Sequence, residues 1–142
     1  MYERHEALQG SIFVIAEVRG SKLHSVTGEL LGKARELADV RRGQVTAVVL
    51  FADLKDSLEA LFCHGADRIL AVRHPGLEQF DQEIYTKVLS HLIEIERPEI
   101  VLAGATSSGR TFLPAVAAKA RTGLTADCTG LDIDPETGLL LQ

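Results

Sequence analysis

Strand-like and helix-like segments alternate along nearly the whole chain, and this alternation limits the fold more than any other feature. Short apolar runs rich in Val, Ile and Leu recur between longer segments whose apolar residues repeat at helical spacing. The predicted strands are 11–18, 44–51, 68–73, 99–104 and 128–134, and the predicted helices lie near 26–42, 56–64, 81–97 and 111–120. Strands that alternate with helices form parallel sheets, so we predict an α/β fold with a mostly parallel sheet and helices on both faces.

Local signals mark where several predicted helices begin and end. Asp56-Ser-Leu-Glu59 fits a capping box, which predicts a side-chain cap at the start of the second helix. Arg41-Arg42-Gly43 ends the first helix with basic residues and a glycine, as the C-terminus of a helix favours. Gly65 ends the second helix, and Pro98 ends the third because a helix rarely continues through the residue before proline.

The last residues predict a hairpin that the sequence does not complete. Asp134-Pro-Glu-Thr-Gly138 has turn chemistry, so 129–133 should fold back onto 139–142. The sequence stops at Gln142, within the returning strand, and domains seldom end on a bare apolar strand because its unpaired edge invites aggregation. We therefore expect residues 1–142 to form a single α/β domain that is truncated before its last strands.

Composition excludes several classes of function. The formal net charge of −5 argues against a general nucleic-acid-binding protein, which needs a basic face to meet phosphates. No apolar run approaches the roughly 18 residues of a membrane span, so we expect no membrane insertion. The N-terminus lacks the basic-then-apolar order of a secretion signal, and the two cysteines have no metal or redox spacing. These features predict a reduced, cytoplasmic setting.

The stretch Ala103–Thr111, AGATSSGRT, carries the densest set of candidate binding residues. It differs by one residue from the P-loop pattern G-x-x-x-x-G-K-[ST], with arginine in place of the lysine. The stretch follows a predicted strand and precedes a helix, so backbone N–H groups at the positive end of a helix dipole should point outward. The candidate ligand-binding residues here are Thr106, Ser107, Ser108, Gly109 and Arg110.

Several features argue against a P-loop that hydrolyses a triphosphate. Arg110 differs from the P-loop lysine in shape and reach, and the stretch follows the fourth strand rather than the first. Pro114 would kink any helix that begins before Thr111, because proline removes a backbone hydrogen bond. No downstream carboxylate is evident for magnesium. Two interpretations stay open: a loop that contacts a nucleotide or phosphate, and a capped strand-to-helix turn at an interface.

The order of the strands determines whether the stretch Ala103–Thr111 lies where ligands bind. In open parallel sheets, ligands bind beyond the carboxyl ends of the strands, where the strand order reverses. If the first strand pairs with the fourth, the loop after the fourth lies at that switch point, and so does the loop 19–24, RGSKLH.

A second dense stretch, Arg121–Gly130, combines two glycines, three threonines, Asp127 and Cys128 with few bulky side chains. Small residues let a backbone approach a flat ligand or another subunit closely. The alternative is a loop that enters a strand, with Asp127 as a turn or cap residue.

Metal and nucleophile chemistry find little support in the sequence. Asp132, Asp134 and Glu136 start like a calcium loop, but the glycine comes one place late and the twelfth-position glutamate is missing. The histidines show neither H-x-x-x-H nor H-E-x-x-H, and no histidine pairs with Cys128 in a nucleophile pattern.

Two blocks of the sequence resemble a known family. The blocks are VIAEVRGSKLHSVTGELLGKARELAD, residues 14–39, and LAGATSSGRTFLPAVAAKARTGLTADCTGLDID, residues 102–134. Together they resemble the α subunit of electron-transfer flavoproteins nearly end to end, and the later block is the more specific. Its matching positions are Ala105-Thr106, Gly109-Arg110, Pro114, Ala117-Ala118 and Gly123–Cys128.

The resemblance implies a fold, a partner and a cofactor. It implies an α/β domain of the adenine-nucleotide α-hydrolase-like type, which pairs with a β subunit to carry FAD. Such a pair shuttles electrons between a dehydrogenase and an acceptor such as a quinone oxidoreductase, so the chain would be part of an electron carrier and inactive alone. Most FAD contacts in the family come from a C-terminal domain that has no counterpart in these 142 residues.

The segment TGLTADCT, residues 122–129, is similar to the electron-bifurcating and nitrogen-fixation-associated branch of the family. In bifurcating members a flavin of the β subunit faces this domain. The resemblance therefore implies that Gly123, Thr125 and Asp127 lie near a flavin or a nicotinamide across the subunit interface.

A different class remains as an alternative: an ATP- or AMP-binding regulatory domain like the universal stress proteins. Those proteins follow the fourth strand with a loop that has further glycines soon after. Here Gly109 is followed by an apolar segment with no glycine until Gly123, which disfavours this alternative.

Overall fold

The computed structural model describes residues 10–121 and the backbone of two short strands, 132–133 and 140–141. In chain order the elements are β1 (Ile12–Ile15), β2 (Val18–Arg19), β3 (Lys22–Leu23), α1 (Val26–Arg41), β4 (Val45–Phe51), α2 (Glu59–Cys63), β5 (Arg68–Arg73), a 3-10 turn (Pro75–Leu77), α3 (Gln82–Glu96), β6 (Ile100–Leu102), α4 (Ser107–Ala120), β7 (Asp132–Ile133) and β8 (Leu140–Leu141). Strands and helices alternate as the sequence predicts.

The main sheet has four parallel strands in the order β5-β4-β1-β6. β1 lies at the point where the order reverses, because the chain moves outward from β1 to β4 and β5 and then returns to β6 on the other side. Ile12 pairs with Val45 of β4 and with Ile100 of β6. The first strand thus pairs with the fourth long strand, which is the condition that the sequence argument required, and the switch point lies between β1 and β6.

Two hydrophobic clusters hold helices against opposite faces of the sheet. Alternate residues of a strand point to opposite faces, and β1 shows this directly. Ile12 and Val14 pack with α1 and α2, while Phe13 and Ile15 pack with α3 and α4. Every residue of β1 is at most 3% exposed, as expected of a central parallel strand covered on both sides. The predicted α/β class, with a mostly parallel sheet and helices on both faces, is confirmed, and the arrangement is Rossmann-like.

The first predicted strand, 11–18, is interrupted. β1 ends at Ile15, and residues 18–23 instead form the small antiparallel hairpin β2–β3, in which Arg19 pairs with Lys22. Gly20 and Ser21 make its turn with φ of +53° and +61°. Two successive left-handed residues suit a tight hairpin turn, and glycine takes that conformation without strain.

The predicted capping box at 56–59 is wrong. α2 begins at Glu59 after Leu58, with no side-chain cap at that position. The Asp56 carboxylate instead accepts a hydrogen bond from the Leu23 amide at 2.7 Å, which ties the loop after β4 to the hairpin. A long-range partner has taken the side chain that the local pattern assigned to the helix.

The predicted terminal hairpin is confirmed at the residues that the structure describes. β7 and β8 pair antiparallel, with Asp132 opposite Leu141 and Ile133 opposite Leu140. The intervening turn lies outside the described residues.

Candidate functional site

A cleft of about 780 Å³ opens at the carboxyl ends of the parallel strands. Its size lies in the range of small-ligand and cofactor pockets. Each strand of the sheet contributes a residue at or just after its end, and the hairpin, the 74–80 segment and the start of α4 complete the walls. Polar residues, glycines and aromatic rings make up much of the lining. The residues that line the cleft include Glu17, Gly20, Ser21, Asp53, Lys55, Arg73, Pro75, Leu77, Glu78, Phe80, Tyr85, Gly104, Thr106, Ser108, Gly109 and Phe112.

The AGATSSGRT stretch forms a short capped turn between β6 and α4. Thr106 is the N-cap of α4, and its Oγ1 accepts a hydrogen bond from the Gly109 amide at 3.2 Å. The helix begins at Ser107, four residues before the predicted start, so Gly109 lies inside its first turn. A Cβ at Gly109 would overlap the carbonyl oxygen of Gly104. The glycine thus lets the helix pack onto the turn.

This geometry differs from a P-loop. A P-loop needs an open glycine-rich loop whose amides surround phosphates, and its second glycine precedes the helix. Here Gly104 and Gly109 contact each other directly, and the residues between them already belong to the cap and the helix. Pro114 lies within α4, and it cannot donate a helical hydrogen bond because proline has no backbone N–H.

The cleft brings together only part of the candidate set from this stretch. Thr106, Ser108 and Gly109 line it, whereas Ser107 and Arg110 are exposed on the same first turn and do not. Gly123, Thr125 and Asp127 lie outside the described residues.

The hairpin β2–β3 forms one wall, as the sequence predicts for the loop after β1. The Lys55 amide donates to the Ser21 carbonyl at 2.8 Å, beside the bond between Leu23 and Asp56. These two bonds connect the hairpin to the loop after β4. Hydrogen bonds therefore hold the two segments together at the mouth of the cleft.

Glu17 and Tyr85 are lining residues that no sequence pattern singles out. Glu17 Oε1 accepts from Arg19 at 3.2 Å, while its buried Oε2 has no hydrogen-bond partner among the described residues. The Tyr85 hydroxyl donates to the Leu50 carbonyl at 3.4 Å. Burial, assisted by the negative charge of Glu17, raises the pKa of Tyr85 to about 12, so this hydroxyl stays protonated at neutral pH.

Three aromatic rings form an apolar wall of the cleft. The ring centroids of Phe80 and Tyr85 lie 5.0 Å apart in an edge-on arrangement, and those of Tyr85 and Phe112 lie 5.3 Å apart. Phe80 is 41% exposed, so the wall reaches the surface. No spacing in the sequence connects these residues, because they come from a loop, α3 and α4.

Metal binding finds no support in the described ranges, 10–121 and the two short strands. No three His, Cys, Asp or Glu side chains come together there in an arrangement that holds an ion. Within the same ranges, no helix combines the length and apolarity needed to cross a bilayer.

A parallel sheet whose switch point opens into a cleft beside a capped helix defines a Rossmann-like α/β domain, a class that places ligands and partners at this edge. Residues 12–142 match the model of the electron transfer flavoprotein domain. The chain belongs to this family, as the resemblance of its two sequence blocks implies.

Relatives with assigned names include α subunits of electron-transfer flavoproteins. The chain is 45% identical over 131 residues to the "Electron transfer flavoprotein subunit alpha" of Thermoanaerobacterium thermosaccharolyticum. The aligned region covers 92% of this chain and 39% of that protein. It is 40% identical over 123 residues to the "Acryloyl-CoA reductase electron transfer subunit beta" of Anaerotignum propionicum, covering 87% and 34%. It is 39% identical over 135 residues to the "Lactate dehydrogenase (NAD(+),ferredoxin) subunit LctC" of Acetobacterium woodii, covering 95% and 32%. The chain thus spans well under half the length of these relatives.

Proposed function

We propose that this chain is the N-terminal domain of an electron-transfer flavoprotein α subunit, and that it pairs with a β subunit in an electron carrier containing FAD. The observation that carries the proposal is the family match over residues 12–142, together with the 45% identity to a protein named as an α subunit. The carrier would work in the cytoplasm and pass electrons from a dehydrogenase to an acceptor such as a quinone oxidoreductase.

The turn between β6 and α4 does not fit the pyrophosphate of a dinucleotide. A dinucleotide fingerprint uses glycines so that the backbone can approach a pyrophosphate. In this chain the Gly104 carbonyl oxygen occupies the space beside Gly109 that a pyrophosphate would need. The Gly109 amide already donates a hydrogen bond to the Thr106 side chain. In the proposal FAD is therefore held mainly by residues outside this chain, and this domain contributes binding surface and electrostatics.

The cleft edge is the face that we assign to the partner. Thr106, Ser107, Ser108, Gly109 and Arg110 form the cap and first turn of α4 at this edge, and the exposed ring of Phe80 continues the surface. An edge that mixes hydroxyls with an aromatic ring suits a protein interface.

Residues beyond α4 complete the proposed contact. Gly123, Thr125 and Asp127 would approach a flavin or nicotinamide across the interface, as in an electron-bifurcating member. The relative named for both NAD(+) and ferredoxin supports this branch.

Flavin content of the purified chain tests the proposal. The chain expressed alone should carry no flavin. It should therefore be colourless, because flavin gives a strong visible absorbance, and it should show no dehydrogenase or reductase activity. Tight and stoichiometric FAD on the chain alone would overturn the assignment of FAD to other parts of the protein.

Calorimetry distinguishes the electron-carrier proposal from the alternative, a nucleotide-binding regulatory domain like the universal stress proteins. The cleft has the size of a nucleotide pocket, so AMP and ATP are the probes. The electron-carrier proposal expects no heat of binding with either. Binding at micromolar concentration, abolished by replacing Ser108 with arginine and unaffected by the same change at exposed Ser57, would favour the regulatory domain.

A further inference from the structure

Two histidines at the carboxyl edge of the sheet use a ring nitrogen as the acceptor that caps a backbone turn. His24 Nδ1 accepts a hydrogen bond from the Val26 amide at 3.1 Å, at the start of α1. His74 Nδ1 accepts one from the Gly76 amide at 3.0 Å, in the 3-10 turn. A protonated imidazole has donors at both nitrogens and cannot accept, so both bonds require a neutral ring.

Each capped turn supports one side of the cleft. His24 follows the hairpin, and the Val26 side chain that its cap positions lies against Gly104 in the cleft wall. Ser25, the formal N-cap of α1, makes no side-chain bond, so within residues 10–121 the side-chain cap at this end comes from His24. His74 follows β5, and Pro75 and Leu77 of its capped turn line the cleft.

The charged groups around His24 lie on three segments. Glu17 follows β1, and its carbonyl accepts a hydrogen bond from the His24 amide at 2.8 Å. Arg19 of β2 pairs with the Glu17 carboxylate. Lys55 and Asp56 belong to the loop that is bonded to the hairpin. Lys22 of β3 lies two residues before His24 in the chain, so protonation of His24 adds positive charge to a neighbourhood that holds groups of both signs.

The charged groups around His74 are mainly acidic. Arg73 and Glu78 flank it in its own segment, and Asp53 follows β4, whose Phe51 carbonyl accepts the His74 amide. α3 approaches the turn through Ile84, and Asp81 caps that helix.

We propose that His24 and His74 form an acid-sensitive pair of caps that controls the opening of the cleft. While both rings are neutral, the two caps hold the hairpin and the 74–80 segment in place. Protonation converts each Nδ1 from acceptor to donor, releases the Val26 and Gly76 amides, and loosens both walls. The two caps act on the walls of the cleft whether or not the electron-carrier proposal is correct.

Amide hydrogen exchange by NMR in the full chain tests the pair directly. Between about pH 7.5 and 5.5, and after correction for intrinsic exchange, the protection of the Val26 and Gly76 amides should fall about fivefold, the effect of losing one hydrogen bond. The Leu89 amide, in the middle of α3, should keep its protection.

Asparagine variants remove the titration and keep the acceptor. The Oδ1 atom of asparagine occupies nearly the position of Nδ1, and asparagine caps helices well. In H24N and H74N the protection at Val26 and Gly76, respectively, should become independent of pH. H91N, at an exposed position of α3, should keep the wild-type response. Equal protection at both pH values in the wild type, or a pH response that persists in the H24N/H74N double variant, would overturn the inference.

Discussion

Gly109 is the residue on which the contact between β6 and α4 depends most. Any side chain there meets the Gly104 carbonyl oxygen, which is backbone and cannot rotate away. We expect Gly109→Ala to lower the free energy of unfolding by about 1–3 kcal/mol, as overpacked sites do. Urea unfolding measures this change.

Gly32 gives the matched control for that substitution. It lies exposed within α1, and a Cβ there would meet no atom within 4 Å. Gly32→Ala should therefore raise the free energy of unfolding by about 1 kcal/mol, because alanine favours the helix. A Gly109→Ala protein as stable as the wild type would contradict the described packing.

The Tyr85 hydroxyl should lose its proton at a higher pH than an ordinary tyrosine does. Its pKa of about 12 predicts a separate second step in the tyrosinate absorbance titration, since the chain has two tyrosines. The folded state favours the neutral phenol, so this contribution to stability is complete below about pH 10 and is lost as the pH rises towards 12. Tyr85→Phe should remove the late step. A single step near pH 10 in the folded wild type would be inconsistent with burial of this hydroxyl.

Residue-scale chemistry was only partly predictable. The hydroxyls and glycines of AGATSSGRT drew attention because they follow a strand and open a helix. Glu17, Phe80 and Tyr85 did not, since the polar and aromatic types at those positions carry no motif and become neighbours only through packing.

At the scale of elements, three ion pairs connect helices and loops to the edge of the sheet opposite the cleft. Arg35 binds Asp67 at 2.8 Å, Arg41 binds Glu99 at 2.8 Å, and Arg68 binds Glu96 at 2.9 Å. Asp67 also accepts the Val45 amide at the start of β4. This carboxylate thus connects α1, β4 and the approach to β5.

Asp67 should make stability depend on acid pH. Burial raises the pKa of its carboxyl, but the Val45 amide and the Arg35 guanidinium outweigh burial and leave the pKa below its ordinary value. The contribution is therefore present above about pH 4 and is lost as the pH falls through the lower, folded-state pKa. Asp67→Asn should lower the free energy of unfolding at neutral pH by about 1 kcal/mol or less, because the side chain is 41% exposed and water screens the pair.

Urea unfolding at a series of pH values checks this prediction. The difference between wild type and Asp67→Asn should shrink towards zero in acid, whereas Glu36→Gln, in an exposed pair with Lys33, should have no effect at any pH. A difference that stays constant down to the lowest pH would contradict a charge-dependent role for Asp67.

Elements were more predictable than their ends. The central strands are apolar runs because a parallel strand is buried on both faces, and this pattern is readable in the sequence. The start of α4 was missed because Ser107, Ser108 and Gly109 favour helices weakly, and a threonine cap holds them there instead. The Asp56 cap failed because the partner of that carboxylate, Leu23, is 33 residues away in the chain.

At the scale of the whole molecule, the order of strands positions the cleft. The alternating sequence predicts a parallel sheet, and the pairing of β1 with β6 turns that sheet into one with a switch point. The cleft walls come from segments spread between residues 15 and 112, so their assembly follows from topology and not from any local pattern. The family match agrees with this fold and assigns the chain to the electron transfer flavoproteins.

Capture of a β subunit tests the central claim most directly. The tagged chain is co-expressed with the electron-transfer flavoprotein β subunit of the same organism, purified by its tag and passed through gel filtration. We predict that the two proteins elute together in equal amounts. We also predict that Ser108→Arg at the cleft edge weakens capture and that Ser57→Arg does not. A folded chain that elutes alone, with the folded β subunit left behind, would contradict the account.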